Sequence, residues 1–249
     1  VRLCRKKCRS TPRPAPETGL QQAVVAPFKP GRTDSPIAGG DRVTQVHNMT
    51  DYEETYAEFR PAVPEFFNFA GDVVDKWAQD PGKLAILWVD DAGNEVRKTF
   101  LDIVNASKKL ANVLTASGVR RDDVIMVVLP RNTEWWETLT AGIRMGALVA
   151  PGATQLTTND LAFRANTSQA ACLITNHDIA AKFEQVQDKC PTVKTKIVIS
   201  RPRKGWIFYD QALAATAAQF ETVKTRSSDN CLVYFTSGTA GPPKLALHT

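Results

Sequence analysis

The chain has 249 residues, of which 43% are hydrophobic, enough to bury the core of one large domain or two small ones. Its net charge of +5 is unevenly placed: residues 1–48 hold nine Lys/Arg and three Asp/Glu, a net of +6, which leaves −1 for the rest. A nucleic-acid-binding fold carries its positive charge on the folded surface, so this distribution argues against that class.

Residues 1–48 read as a leader set apart from the fold. Arg2, Arg5, Lys6, Lys7, Arg9 and Arg13 precede the first acid, Glu17, and six prolines between Pro12 and Pro36 discourage regular structure. Arg richness with few acids fits a mitochondrial transit peptide, which would place the protein in the mitochondrial matrix. Equally, Met49 reads as a natural start with a misjoined segment before it, which would leave the protein cytoplasmic. Either way the leader is expected to be disordered and residues 49–249 to carry the fold.

From Phe66 the pattern turns globular. Phe66, Phe69, Ala70, Val73, Val74 and Trp77 share one face of an expected helix over 66–77. Strands are expected at 84–89 and 95–100, on either side of the turn Asp90-Asp91-Ala92-Gly93-Asn94. A helix over 101–117 stops at Gly118. An alternation then begins, with strands at 124–129, 147–150, 171–175, 196–199 and 231–235. Helices are expected between them at 134–145, 158–167, 179–189 and near 209–219, the second capped by Thr157 with Asp160. Strands alternating with helices imply an α/β fold with a mostly parallel sheet, whose ligands sit at the carboxyl ends of the strands. No apolar run approaches the ~20 residues that span a bilayer, so no transmembrane segment is expected.

The last expected strand empties into Thr236-Ser237-Gly238-Thr239-Ala240-Gly241-Pro242-Pro243-Lys244. Glycines let backbone N–H groups approach a polyphosphate closely, hydroxyls add donors, and lysine adds a mobile positive charge. The spacing is not that of the Walker loop. The bland alternative is a surface turn built from ordinary turn residues. The five cysteines, Cys4, Cys8, Cys172, Cys190 and Cys231, have no metal-ligand spacing, and no metal-binding residues are assigned. Cys172 and Cys231 lie in apolar runs and read as small buried hydrophobes, and the odd count fits a reducing compartment.

The loop resembles the phosphate-binding signature of the adenylate-forming enzymes, the acyl-CoA synthetases and their relatives, with Ala240 where a second hydroxyl residue is usual. Leu129-Pro130-Arg131, Glu134-Trp135-Trp136, Arg144-Met145-Gly146-Ala147 and Pro151-Gly152-Ala153-Thr154-Gln155 resemble the medium-chain acyl-CoA synthetase branch, as does the entry Phe66-Phe67-Asn68-Phe69-Ala70. The resemblance covers about 52–249. It implies the N-terminal part of an adenylation domain, incomplete at its end, in an enzyme that joins a fatty, medium-chain carboxylic acid to coenzyme A through an acyl-adenylate. ATP, Mg²⁺ and coenzyme A would be its cofactor and co-substrates. Thr236 through Lys244 would hold the ATP phosphates, with Lys244 and Thr239 catalytic, and Gln155 would touch coenzyme A. Another adenylate-forming enzyme, such as a short-chain synthetase or a carrier-protein ligase, and an inactive truncated product remain as alternatives. Trp135 and Trp136 read more readily as core anchors than as an acyl-binding wall, Arg131 as a surface charge, and His177 as a helix start or cap. His248 reads either as a strand residue or as a nucleotide neighbour. Acyl length and oligomeric state stay open.

Overall fold

A computed structural model describes residues 51–236 and 242–249. The expected leader and Ser237 through Gly241 lie outside the described residues. The chain divides into two units, residues 1–59 and 60–249. In the first, helix α1 spans Tyr52–Glu58, with Asp51 accepting from the N–H of Glu54 at 2.9 Å. The sequence pattern did not announce this helix, which buries none of its residues.

The second unit is a doubly wound α/β fold. Seven strands, β3 (Val124–Val128), β4 (Leu148–Pro151), β5 (Cys172–Thr175), β6 (Thr195–Val198), β7 (Ile207–Phe208), β8 (Leu232–Thr236) and β9 (Lys244–His248), lie in the order β7-β6-β5-β3-β4-β8-β9. All neighbours are parallel except β8 and β9, which form an antiparallel hairpin. Alternate residues of β3 face opposite layers, as the two-residue strand period requires. Ile125 and Val127 join one core cluster with α3 (Phe100–Ala116), α4 (Thr133–Arg144) and Tyr209 of α7 (Tyr209–Ala214). Met126 and Val128 join the other, with α5 (Thr158–Thr167) and α6 (His177–Glu184). Central strands buried on both faces explain the unbroken apolar runs of the sequence.

Ends are set by local chemistry. Thr99 with Asp102 and Thr157 with Asp160 form complete capping boxes on α3 and α5, the second as expected from the sequence. Asn176, not His177, caps α6, and His177 is the first helical residue. Strands β1 (Leu84–Val89) and β2 (Glu95–Thr99) form a separate two-stranded ribbon around the Asp90–Asn94 turn.

The expected helix over 66–77 is instead a π-helical turn, Phe69–Val74, running into a short helix α2, Asp75–Trp77. Two polar constraints, invisible to apolar spacing, bear on this stretch. Asp72 turns back to accept from the Asn68 N–H at 2.6 Å. Asp75 meets the fully buried Arg144 in a fork of 2.6 and 2.9 Å. Arg144 also donates to Ser107 and Thr222, so one guanidinium ties α2, α3, α4 and the irregular segment around Thr222 together. The helix expected near 209–219 is shorter, and the one expected over 179–189 ends at Glu184 before a 3₁₀ turn, Gln187–Lys189.

Candidate functional site

After β3 the chain runs through α4 to β4 on one side, then crosses by α5 to β5 on the other. That reversal puts the topological switch point between β3 and β5, and a crevice lies next to it over the carboxyl ends of β3 and β4, the edge of the sheet at which open α/β folds take ligands. A cavity of about 990 Å³ occupies it. Its walls are Leu129, Pro130 and Arg131 after β3, Trp135 and Trp136 at the start of α4, and Gly152 through Gln155 after β4. The remaining wall is Ala85, Ile86, Leu87 and Trp88 of β1. Trp88 donates its ring N–H to the Arg131 carbonyl at 2.6 Å. A second cavity, about 350 Å³, lies at the amino ends of β4 and β8 between Phe67, Leu139, Ile143 and Leu232. None of the described motif residues lines either cavity; the chemistry is assigned to the carboxyl edge because β8, parallel to β4, ends there at Thr236, the first motif residue.

The described ends of the motif sit on the β8–β9 hairpin, whose strand β8 runs beside β4. Thr236 ends β8 and Lys244 begins β9, so the first and last motif residues are cross-strand partners. The Thr236 hydroxyl donates to the Lys244 carbonyl at 3.3 Å. Thr236, Pro242 and Lys244 are exposed and Pro243 is half-buried. Ser237, Gly238, Thr239, Ala240 and Gly241 fall outside the described residues. Beside β8 runs β4, whose following turn carries Gln155, exposed and lining the larger cavity. Thr236, Lys244 and Gln155 thus share one edge of the sheet. His248 pairs with Leu232 at the far end of the hairpin and stands edge-on to Tyr234, away from the motif.

Sequence reasoning missed several neighbours. The returning strand β9 went unread, so the cross-strand pairing of Thr236 with Lys244 was not foreseen. Trp136, read as a core anchor, is 49% exposed; Trp135 packs against the core, edge-on to it at 4.8 Å. The paired tryptophans turn one ring inward and one outward because they are consecutive on a helix. Trp88 could have been found from the alternation Ile86, Trp88 along β1. Arg164 of α5 lays its guanidinium 4.5 Å over the ring of Phe235, just before the motif, and no sequence pattern pointed there.

A charged cluster marks the carboxyl ends of β5 and β6. Arg203 grips Glu184 through two bonds of 2.6 and 2.7 Å, and the Trp206 ring N–H adds a third at 2.8 Å. The Arg203 bonds hold the Glu184 carboxyl down at about 2. Desolvation, and then the positive charges of Arg201 and Arg203, push His177 below its ordinary value. Burial raises the thiols of Cys172 and Cys190, and both are free. Among the described residues, no three His, Cys, Asp or Glu side chains converge as metal ligands. Nor is any helix among them long and apolar enough to cross a membrane.

The family described as "AMP-binding enzyme" matches residues 73–249. Acyl-coenzyme A synthetase ACSM3, mitochondrial, of Mus musculus is 37% identical over 216 residues, covering 84% of this chain and 37% of that protein. Acyl-coenzyme A synthetase ACSM5, mitochondrial, of the same species is 39% identical over 198 residues, covering 76% of this chain and 34% of that protein. Among solved structures, an acyl-CoA synthetase of Brucella canis superposes with a TM-score of 0.71 at 24% identity, over 79% of this chain and 37% of that one. At that identity the structural likeness speaks for the fold alone. The chain therefore spans little more than a third of the length of these relatives.

Proposed function

The chain belongs to the AMP-binding enzyme family, and from that premise we propose that it is part of an ATP-dependent acid–thiol ligase. The acid is a fatty, medium-chain carboxylic acid and the thiol is coenzyme A, in keeping with the acyl-coenzyme A synthetase names of its relatives. The observation that carries this reading is the hairpin, in which Thr236 and Lys244 flank the motif as cross-strand partners, with β8 beside β4.

In the reaction the carboxylate oxygen attacks the α-phosphorus of ATP. A P–O bond forms to the acid, the bond to the β-phosphate breaks, and pyrophosphate leaves. The thiol sulfur, losing its proton, then attacks the acyl carbon, and the C–O bond breaks to release AMP. Neither step needs a protein nucleophile; both need positioning and charge neutralisation. The hydroxyls of Ser237 and Thr239 would donate to phosphate oxygens, as would the N–H groups of Gly238 and Gly241, and the Thr236 hydroxyl would do so by turning from the Lys244 carbonyl. Ala240 would contribute its N–H alone, and Pro242 no donor at all. The Lys244 ammonium would offset the charge gathering on departing pyrophosphate, which makes it and Thr239 the residues assigned to catalysis. Pro243 shapes the return of the chain into β9. Mg²⁺ would accompany the nucleotide and supply further charge neutralisation at its phosphates. The Gln155 amide would hydrogen-bond coenzyme A in the cavity it lines with Trp88, Trp135 and Trp136.

Residues 49–249, carried in a chain of the relatives' full length, are expected to support octanoate-dependent pyrophosphate release from ATP. Release that ignores the acid, or none at all, would remove this reading. A mitochondrial matrix location is part of the proposal, supported by the relatives' names and by the Arg-rich, acid-poor residues 1–48. Fused to a reporter, residues 1–48 are expected to send it to mitochondria; a diffuse cytosolic signal would favour Met49 as the start.

A further inference from the structure

One wall of the aromatic cavity belongs neither to the large sheet nor to its helices. Ribbon β1–β2 supplies that wall, yet its residues Leu84, Leu87, Val89 and Val96 stay exposed. Its apolar hold on the body is a small cluster in which Ala85, Ile86 and Phe100 meet Val74, Ile103 and Val104. With so little area buried, polar and charged contacts weigh heavily in fixing where the ribbon lies. The inner face of the ribbon has two of them. Trp88 donates to the Arg131 carbonyl. Lys98, cross-strand partner of Ile86, brings Nζ to 3.2 Å from Oε1 of Glu137.

Glu137 follows Trp136 on α4 and is only 3% exposed. Its Oε2 accepts from the hydroxyl of buried Tyr209 at 2.7 Å. Burial and the nearby carboxylate keep that phenol protonated, well above its ordinary range, so it remains a donor. Lys98 is near enough to Oε1 for charge attraction but not aligned for a hydrogen bond, which leaves this buried oxygen without a donor. The carboxylate charge is thus balanced by an ammonium that arrives from the ribbon. A buried charge of this kind resists separation from its partner.

We propose that Lys98, Glu137 and Tyr209 are positioning residues that clamp ribbon β1–β2 onto α4 and so set the aperture of the thiol cavity. The assignment of the cavity to coenzyme A rests on the proposed function; the clamp rests on the contacts above. A pair that only stabilised the fold would predict no change in the ribbon or the cavity once the fold is preserved. Lys98→Met alone leaves a buried carboxylate unpaired and risks the fold. The double variant Lys98→Met/Glu137→Gln removes both charges together, which is often close to neutral for stability, and keeps an acceptor for Tyr209.

The test uses residues 49–249 carried in a chain of the relatives' full length, with coenzyme A as the calorimetric probe, alongside amide hydrogen exchange without ligand. The double variant is expected to bind coenzyme A about tenfold more weakly, a loss typical of misplaced positioning groups. Its Leu84–Thr99 amides should exchange faster while those of β3 to β6 keep their protection. Lys98→Arg, which retains the charge, should stay near the unmodified protein. Equal protection of the ribbon in the double variant and the unmodified chain would overturn the clamp, and so would equal affinity. If the unmodified chain fails to bind coenzyme A, the parent reading of the cavity falls, and exchange alone decides the clamp: faster ribbon exchange supports it, unchanged exchange overturns it.

Discussion

Arg144 is the residue whose role the sequence conceals most. It reads as one member of a family string, yet it is fully buried, forked onto Asp75 and bonded to Thr222, partners 69 and 78 positions away in the chain. No local pattern reports contacts at that separation. Asp75→Ala strands this guanidinium and is expected to cost about 3–5 kcal/mol, measured by urea unfolding. The ion pair at Glu184 is more exposed and titrates instead. Its folded value is depressed to about 2 from an ordinary 4.5, so its stabilisation is present above pH 4.5 and is lost as pH falls toward 2. His177 is depressed as well, so its contribution is present above its ordinary 6.5 and is lost on acidification below that. Melting temperature is therefore expected to fall on acidification in two stages. Glu184→Gln should flatten the lower stage and enlarge the upper, because the Glu184 charge offsets part of the depression at His177. The glycine-rich motif, by contrast, is singled out by local residue types alone, hydroxyl, glycine and lysine, and its phosphate role is the proposal that Lys244→Ala tests.

At the scale of elements, the interior of the sheet was legible and its margins were not. Strands β1, β3, β5 and β6 and helices α3, α4 and α5 lie within about a residue of their expected ends. Long apolar runs and capping boxes encode them directly. The two-residue β7 is too short to show a period, and β9 reads as a few residues trailing a motif until its pairing with β8 is seen. Burial of Trp136 was misjudged because a tryptophan pair carries no sign of which ring faces inward. The packing of α4 on β4 depends on Gly142, where an added Cβ would drive into the Val149 side chain. Gly142→Ala is expected to destabilise by about 1–3 kcal/mol through overpacking. Because α4 also carries Trp135 and Trp136, near-ultraviolet dichroism of the cavity tryptophans should change in the same variant. An unchanged melting temperature and spectrum would mean that α4 has room to move.

At the largest scale, residues 60–249 form a doubly wound sheet with the candidate site at the carboxyl edges of β3, β4 and β8, and its α/β class with a mostly parallel sheet followed from the alternation of strands and helices. Among the described residues the sheet ends at β9, whose Leu245 and Leu247 are exposed, and a strand edge with apolar side chains invites pairing with other chains. The isolated chain is accordingly expected to self-associate as concentration rises, observable by sedimentation velocity. It spans 37% of the length of ACSM3 from mouse, and by itself it is expected to release no octanoate-dependent pyrophosphate from ATP and Mg²⁺. Measurable acid-dependent turnover by the 249 residues alone would show that the site is already complete within them. The central claim, that the β8–β9 hairpin holds the phosphates of ATP, is tested most directly with Lys244→Ala in a chain of the relatives' full length, measuring adenylation and melting together. Loss of one charged hydrogen bond at the transition state should lower kcat/KM for ATP by about 1.5–3 kcal/mol, roughly 10- to 100-fold, with the melting temperature unmoved. Adenylation at the unmodified rate, or a melting temperature many degrees lower, would contradict the claim and make Lys244 a structural residue of the hairpin.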